Sequence, residues 1–530
     1  GKASSEQLTN LNADGSSRYA LGDVVGQSGI ESSMESALQG TKGSRTMYLD
    51  SVGHVLEVTS ETQPSTGEDV YLTIDRDLQI GVYNLIEQHL AGILAAKIVN
   101  GKVTISTSMG ASQRYISVYD AYFQLINNNV LDMNAFSADT ATDNEKRIYQ
   151  KFLTGQSQAL AQIRAELVSS NPTAYKDLDA GTAASDEKVM QTYMSYIYTA
   201  MVDSGYLIKD NINTSDSVYI AYKTSETISL KEFLQYALTQ NWVDVSKLNL
   251  SEKYTSSEAT YQALVDAIIS LLTNSTKFNK KVYKALINTD TITGNELCMA
   301  LYDQGLLTED AAAYASLKTG TSATAYNFIL DKISKLEITP AQLALDPCSA
   351  AATVTDVNTG QVLAMVSYPS YDNNKLSGSV DAAYYYKLVN DQSSPLYSSA
   401  TQAQTAPGSV FKMVTGMAAL ETGNVSSTEL IEDKGVFTEV GLNLACWIHA
   451  YGSTHGKINI VNALEVSCNY FFSELGYRLS TNASGQYDED LGLSRIQYYA
   501  SQLGLGDKSG VQLTESKPQI SDANPIPSAI

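Results

Sequence analysis

Residues that hold metals or staple small folds are scarce in this chain: its 530 residues include four cysteines, four histidines and two tryptophans. Cys298, Cys348, Cys446 and Cys468 form no Cys-x-x-Cys, so their spacing fits no zinc pattern. Cys446 and His449 are near neighbours, but no second such pair completes a site, and no metal is expected. Outside the cell a Cys298–Cys348 disulfide is compatible with the sequence. Cys468 reads as a small buried filler. His54, His89, His449 and His455 offer no Ser/His/Asp arrangement, and His455 reads as a loop or helix-entry residue.

Positive charge is also in short supply. Against 57 Asp and Glu there are 35 Lys and Arg, a net of −22. That balance excludes a grip on nucleic acid and argues against docking on anionic lipid. Long apolar runs are missing: spanning a bilayer takes about 18–20 apolar residues, and the nearest run, Leu90 to Val99, is broken by Lys97. No secretion signal is visible, and with the sequence starting at Gly1 that removes the evidence for one rather than the possibility. With 43% hydrophobic and 17% charged residues it is a folded chain rather than a disordered one. Its length leaves room for about two or three domains.

The most informative stretch is Pro407-Gly408-Ser409-Val410-Phe411-Lys412. It sets a serine at a helix mouth and a lysine one turn later on the same face. A serine hydroxyl attacks well only when an adjacent base takes its proton, and lysine is such a base where its surroundings favour the neutral form. Val410, Phe411, Met413, Val414, Met417 and Leu420 predict an apolar helix face, closed by Gly423. Helix N-terminal N–H groups near Ser409 would favour developing negative charge. A second Ser-x-x-Lys, Ser185 to Lys188, lies in a polar stretch with no face to desolvate its lysine, and reads as solvated surface. Further on comes Ser467-Cys468-Asn469; another Ser-x-Asn, Ser169 to Asn171, precedes Pro172 and reads as a helix end and turn.

Ser-x-x-Lys followed by Ser-x-Asn is the motif pair of penicillin-recognising serine enzymes. Glu68 to Asp75, Thr355 to Val366, Tyr368 to Asp372, Pro407 to Lys412, Thr454 to Gly456, Ser467 to Asn469 and Ser509 to Val511 with Glu515 and Pro518 together resemble class B penicillin-binding proteins. The resemblance covers roughly residues 18–98 and 340–530. It implies an α/β (α+β) penicillin-recognising transpeptidase fold, an antiparallel sheet flanked by helices. It also implies peptidoglycan cross-linking by acyl transfer on D-Ala-D-Ala stem peptides, with Ser409 as nucleophile, Lys412 as base, Ser467 as proton relay and Asn469 holding the substrate. β-Lactams would acylate the same serine, without any cofactor. The place implied is the extracytoplasmic face of a bacterial membrane, reached through an N-terminal anchor absent from this chain. Trp447 would wall the cleft or belong to the core.

Two departures stand out. Ser398-Ser399-Ala400 stands where the family usually has Asn-Arg-Ala. The family's third element, Lys-Thr-Gly, is spelled by Lys318-Thr319-Gly320-Thr321, but well before Ser409 and between two helical stretches, so it reads as an interhelical turn. A chain lacking both the anchor and the true third motif is the expectation.

Residues 1–68 resemble the end of the family's N-terminal pedestal domain. Asp69 to Asp75 alternates as a strand and Leu78 to Leu94 reads as a helix, so 69–99 would open the transpeptidase domain. Residues 100–338 read as an all-helical insertion, with capping boxes at Ser229/Glu232 and Thr255/Glu258, and serve either as a packed appendage or as a docking surface for wall-synthesis proteins. A third box, Thr339/Gln342 with Pro340, starts the transpeptidase core at 339–530. There Ala352 to Asp356 and Gln361 to Val366 predict a hairpin turned at Gly360. Two other readings share the motifs: a D,D-carboxypeptidase or β-lactamase using water, and a non-catalytic β-lactam-binding scaffold or sensor.

Overall fold

Helices are the dominant element of the chain. The computed structural model describes residues 1–13, 18–103, 114–182, 188–250 and 256–521. It divides into two units, Ile74–Leu396 and Gly1–Thr73 with Tyr397–Ile530.

The first unit opens on the helix Arg76–Lys97, whose N-terminus is capped by the Asp75 carboxylate. The expected strand at 69–75 does not form. Beside it, the strand Val362–Tyr368 already has its outer edge occupied. Gln79 Nε2 donates to Met365 O (2.7 Å) and Met365 N donates to Gln79 Oε1 (2.7 Å), while Asp75 N donates to Leu363 O (2.8 Å). A side-chain amide thus takes the place of a neighbouring strand. On its other edge Val362–Tyr368 pairs antiparallel with Ala350–Thr355. The turn between them is held by Asp356 Oδ1, which accepts from Asn358 N and Thr359 N, and Gly360 sits at φ +73°.

From Val118–Asn127 to Ser322–Ser334 the unit is helix after helix, around a core that includes Leu125, Ile148, Ile163, Phe278, Leu297 and Ile329. Each such buried side chain stabilises by about 1.5–3 kcal/mol relative to exposure. Local signals set the helix starts: Ser229 and Glu232 form the expected capping box, as do Thr339 and Gln342. The helix Ser257–Thr273 is capped by Ser256 instead of Thr255, which lies outside the described residues. The Ser185 copy of Ser-x-x-Lys also falls outside them. Ser169 ends the helix Asp143–Val168, and its hydroxyl accepts from Asn171 N. Lys318-Thr319-Gly320-Thr321 joins the helices Ala311–Thr319 and Ser322–Ser334 as a turn. All four cysteines are free, so the Cys298–Cys348 disulfide is absent; Cys298 is sealed in the helical core, where burial pushes its thiol pKa up.

In the second unit a core of Ala418, Phe437, Phe471 and Leu475 gathers the helices Lys412–Glu421 and Asn469–Leu479 with two short strand pairs. Ile431–Asp433 pairs with Gly456–Ile458, and Val436–Phe437 with Leu444–Ala445. The architecture is α/β, but the single antiparallel sheet expected from the sequence is replaced, among the described residues, by separate two-stranded pairs.

Candidate active site

Ser409 lies in a tight 3-10 turn, Gly408–Phe411, that runs straight into the helix Lys412–Glu421. Gly408, at φ +58°, supplies the left-handed backbone that swings the chain into it. This turn changes the helical phase, and the buried face differs from the expected one. Val410 and Met413 are 63% and 60% exposed, whereas Val414, Gly416, Ala418 and Ala419 face inward. Small residues there let neighbouring elements come close: a Cβ on Gly416 would meet Ile460 Cδ1 at 3.2 Å and Phe472 Cε1 at 3.6 Å.

That close packing brings Lys412 to the second motif. Its Nζ donates to Ser467 O (2.8 Å), Ser467 Oγ (3.0 Å) and Asn469 Oδ1 (2.6 Å), and lies 5.7 Å from the Phe472 ring centre. Three acceptors match the three protons of an ammonium group. Burial lowers the pKa of Lys412 from the ordinary lysine value, while the nearby Cys446 and Cys468 sulfurs act the other way. On losing a proton the amine gains a lone pair, and Ser467 Oγ is the contact that can turn from accepting to donating. Ser409 itself is exposed, and its Oγ makes no hydrogen bond among the described residues. Lys412, Ser467 and Asn469 are therefore drawn together, while Ser409, in the turn that enters the same helix, is exposed.

Ser467 adopts φ +50°, a left-handed conformation that costs a non-glycine residue roughly 1 kcal/mol or more. Several contacts hold it there. Trp447 Nε1 donates to Val466 O (3.0 Å), Cys468 N donates to Ala463 O (2.9 Å), and Cys468 Sγ accepts from Phe471 N (3.4 Å) at the start of the helix Asn469–Leu479. Trp447 is half exposed, so it braces this turn from the surface rather than filling the core.

Behind the motif the fold assembles a group that spacing along the chain does not reveal. Asp433 Oδ2 accepts from His455 Nδ1 (2.8 Å), His455 N (3.0 Å) and Cys468 Sγ (3.5 Å). Cys446 Sγ lies 3.5 Å from His455 Nδ1 and 3.8 Å from Cys468 Sγ. One ligand atom from each of Asp433, Cys446, His455 and Cys468 falls within 4.8 Å of the others. Two sulfurs, an imidazole nitrogen and a carboxylate oxygen make a donor set that suits a tetrahedral Zn²⁺. His455 is thus a buried, anchored residue, and Cys468 is more than a filler. Its partner is Cys446, Asp433 and His455 together, whereas His449 takes no part in the group.

The remaining singled-out residues are structural. Ser398 Oγ and Thr401 Oγ1 are 2.9 Å apart, and Ser516 Oγ donates to Gln402 O. Glu515 Oε2 accepts from Ser509 Oγ (2.8 Å), closing a turn at Ser509 to Val511.

Residues 350–529 match the family described as "Penicillin binding protein transpeptidase domain", and residues 1–72 match "Penicillin-binding Protein dimerisation domain". Over 170 residues, 32% of this chain and 24% of the relative, the chain is 32% identical to the peptidoglycan D,D-transpeptidase MrdA of Escherichia coli strain K12. Over 142 residues, 26% of this chain and 28% of the relative, it is 34% identical to the peptidoglycan D,D-transpeptidase PbpA of Mycolicibacterium smegmatis. The chain spans about a quarter of the length of these curated relatives. Among solved structures it is similar to Pseudomonas aeruginosa PBP2 in complex with WCK 5153, at 26% identity and a TM-score of 0.28, covering 35% of this chain and 39% of that one.

Proposed function

We propose that this chain, which belongs to the class B penicillin-binding proteins by its paired dimerisation and transpeptidase matches, cross-links peptidoglycan through a serine acyl-enzyme. Ser409 Oγ attacks the penultimate D-Ala carbonyl of a stem peptide, and its proton passes to Lys412. Ser467, bonded to Lys412 Nζ, hands a proton to the nitrogen of the departing D-Ala. Asn469 Oδ1 is taken up by Lys412, which leaves its Nδ2 to hold a carbonyl of the donor peptide. An amine from a neighbouring strand then attacks the ester, releasing Ser409 and forming the cross-link. β-Lactams imitate the D-Ala-D-Ala end and acylate the same oxygen. In this reading the enzyme works on the extracytoplasmic face, where peptidoglycan strands are joined; no helix among the described residues is long and apolar enough to cross a membrane. Residues 1–68 serve as pedestal and 100–338 as an inserted helical domain that meets other wall-synthesis proteins.

The observation that carries this reading is the contact of Lys412 Nζ with both Ser467 Oγ and Asn469 Oδ1. Labelling with fluorescent penicillin tests it. Wild type is expected to label and Ser409→Ala is not; labelling that survives the substitution would show that another residue is the nucleophile.

A further inference from the structure

The Lys318-Thr319-Gly320-Thr321 turn, which the acyl-transfer chemistry leaves unused, closes one side of a cavity of about 420 Å³ within the helical region. Its two carboxylates are already engaged. Both Asp290 carboxylate oxygens accept from Tyr119 Oη (3.1 and 3.0 Å). Glu296 accepts from Lys151 Nζ (2.7 and 2.8 Å), Arg147 Nε (3.1 Å) and Thr293 N (2.9 Å).

Its donors are not. Tyr122 is 4% exposed and lines the cavity, yet its hydroxyl has no hydrogen-bond partner among the described residues. That phenol fits only because residue 294 is glycine: a Cβ there would stand 2.4 Å from the ring and 2.8 Å from the hydroxyl. Lys318 also lines the cavity and has no ion-pair or hydrogen-bond partner among the described residues. Beside it the helix Ser322–Ser334 begins; a capping box engages Thr321 N with Thr324 Oγ1 and Thr324 N with Thr321 O, which leaves the Ser322 and Ala323 N–H groups without a partner among the described residues. The turn is preset rather than loose, since Asn295 Nδ2 donates to Leu317 O (2.7 Å) and Gly320 O (3.1 Å). The tyrosine rings, Met299 and Leu317 supply apolar wall.

We propose that this cavity binds a small monocarboxylate with an apolar body, its carboxylate held by Tyr122 Oη, Lys318 Nζ and the start of the helix Ser322–Ser334. A single negative charge suits the site because one unpaired lysine and a helix dipole balance it, whereas a dianion would meet the nearby Asp290 and Glu296 carboxylates.

Calorimetric titration of the full chain with benzoate, and with benzamide as its neutral counterpart, tests this. Benzoate is expected to bind saturably and about tenfold more tightly than benzamide, the difference a charge-assisted hydrogen bond makes. Tyr122→Phe removes one hydroxyl and keeps the ring, and Lys318→Gln alters an exposed side chain. Each is expected to weaken benzoate about five- to tenfold while leaving the melting temperature and penicillin labelling unchanged. Equal affinity for the two probes, unchanged affinity in both variants, or no saturable benzoate binding would each overturn the proposal.

Discussion

Lys412 Nζ lies 2.6 Å from Asn469 Oδ1, which makes two motifs well separated in sequence into one hydrogen-bonded unit. Because the same nitrogen also holds Ser467 Oγ at 3.0 Å and Ser467 O at 2.8 Å, removing either side chain takes away one of three contacts that position the lysine and loosens the proton path. Asn469→Ala and Ser467→Ala are each expected to slow acylation by penicillin about 10²–10⁴-fold, the usual worth of a positioned proton-transfer or anion-holding group. Stopped-flow labelling with a melting curve checks this: full-rate acylation in either variant would rule out its role.

How legible this was depended on how local each signal was. The Ser409 and Lys412 pair could be read because both residues lie within one turn, and the interhelical nature of Lys318 to Thr321 because helical patterns flank it. The group around Asp433 could not. His455 meets Asp433 only because Ile431–Asp433 and Gly456–Ile458 pair antiparallel with Gly456 opposite Asp433, a register no spacing rule encodes. The buried face of the Lys412 helix keeps Val414 but differs otherwise from the one apolar periodicity predicts, because a 3-10 entry turn shifts the phase that periodicity assumes to be constant. At 69–75 the alternation is strand-like, yet no strand forms there, and Gln79 bonds the backbone of Met365 on the strand Val362–Tyr368.

Titration of Lys412 sets the pH dependence. Its pKa is lowered by burial from 10.5, so the neutral base appears at lower pH than in a free lysine. Acylation is expected to rise with pH to a plateau, with a midpoint below that ordinary value. The sign for stability is the same: between the folded and unfolded pKa values the unfolded chain binds more protons, so stability increases with pH through that window. Lys412→Arg keeps the charge and cannot give a base, and is expected to abolish the rise. A wild-type profile flat across that window would argue against lysine as the base.

Gly416 controls how closely the Lys412 helix approaches Ile460 and Phe472. Gly416→Leu inserts several carbons where even a Cβ sits 3.2 Å from Ile460 Cδ1. Overpacking of this kind costs about 1–3 kcal/mol. Urea unfolding is expected to show that loss, and penicillin labelling to fall with it, because Lys412 moves away from Ser467. Labelling at the wild-type rate in a destabilised Gly416→Leu protein would separate packing here from catalysis.

The Asp433, Cys446, His455 and Cys468 group makes the last prediction, since Cys468 sits between the two residues that hold Lys412. In the metal-free chain burial is the main cause that pushes the Cys468 thiol up to about 12, so it stays protonated at neutral pH. A Zn²⁺ ion would displace that proton and draw together ligand atoms already within 4.8 Å of one another, stabilising the turn that sets Ser467 and Asn469. Purified protein is expected to carry about one zinc per chain, and chelation to lower its melting temperature and slow penicillin acylation, with zinc restoring both. Cys446→Ala and Cys468→Ala are expected to lose the metal and the response to it. Wild-type protein that holds no zinc and melts identically with and without chelator would reduce the group to a hydrogen-bonded brace.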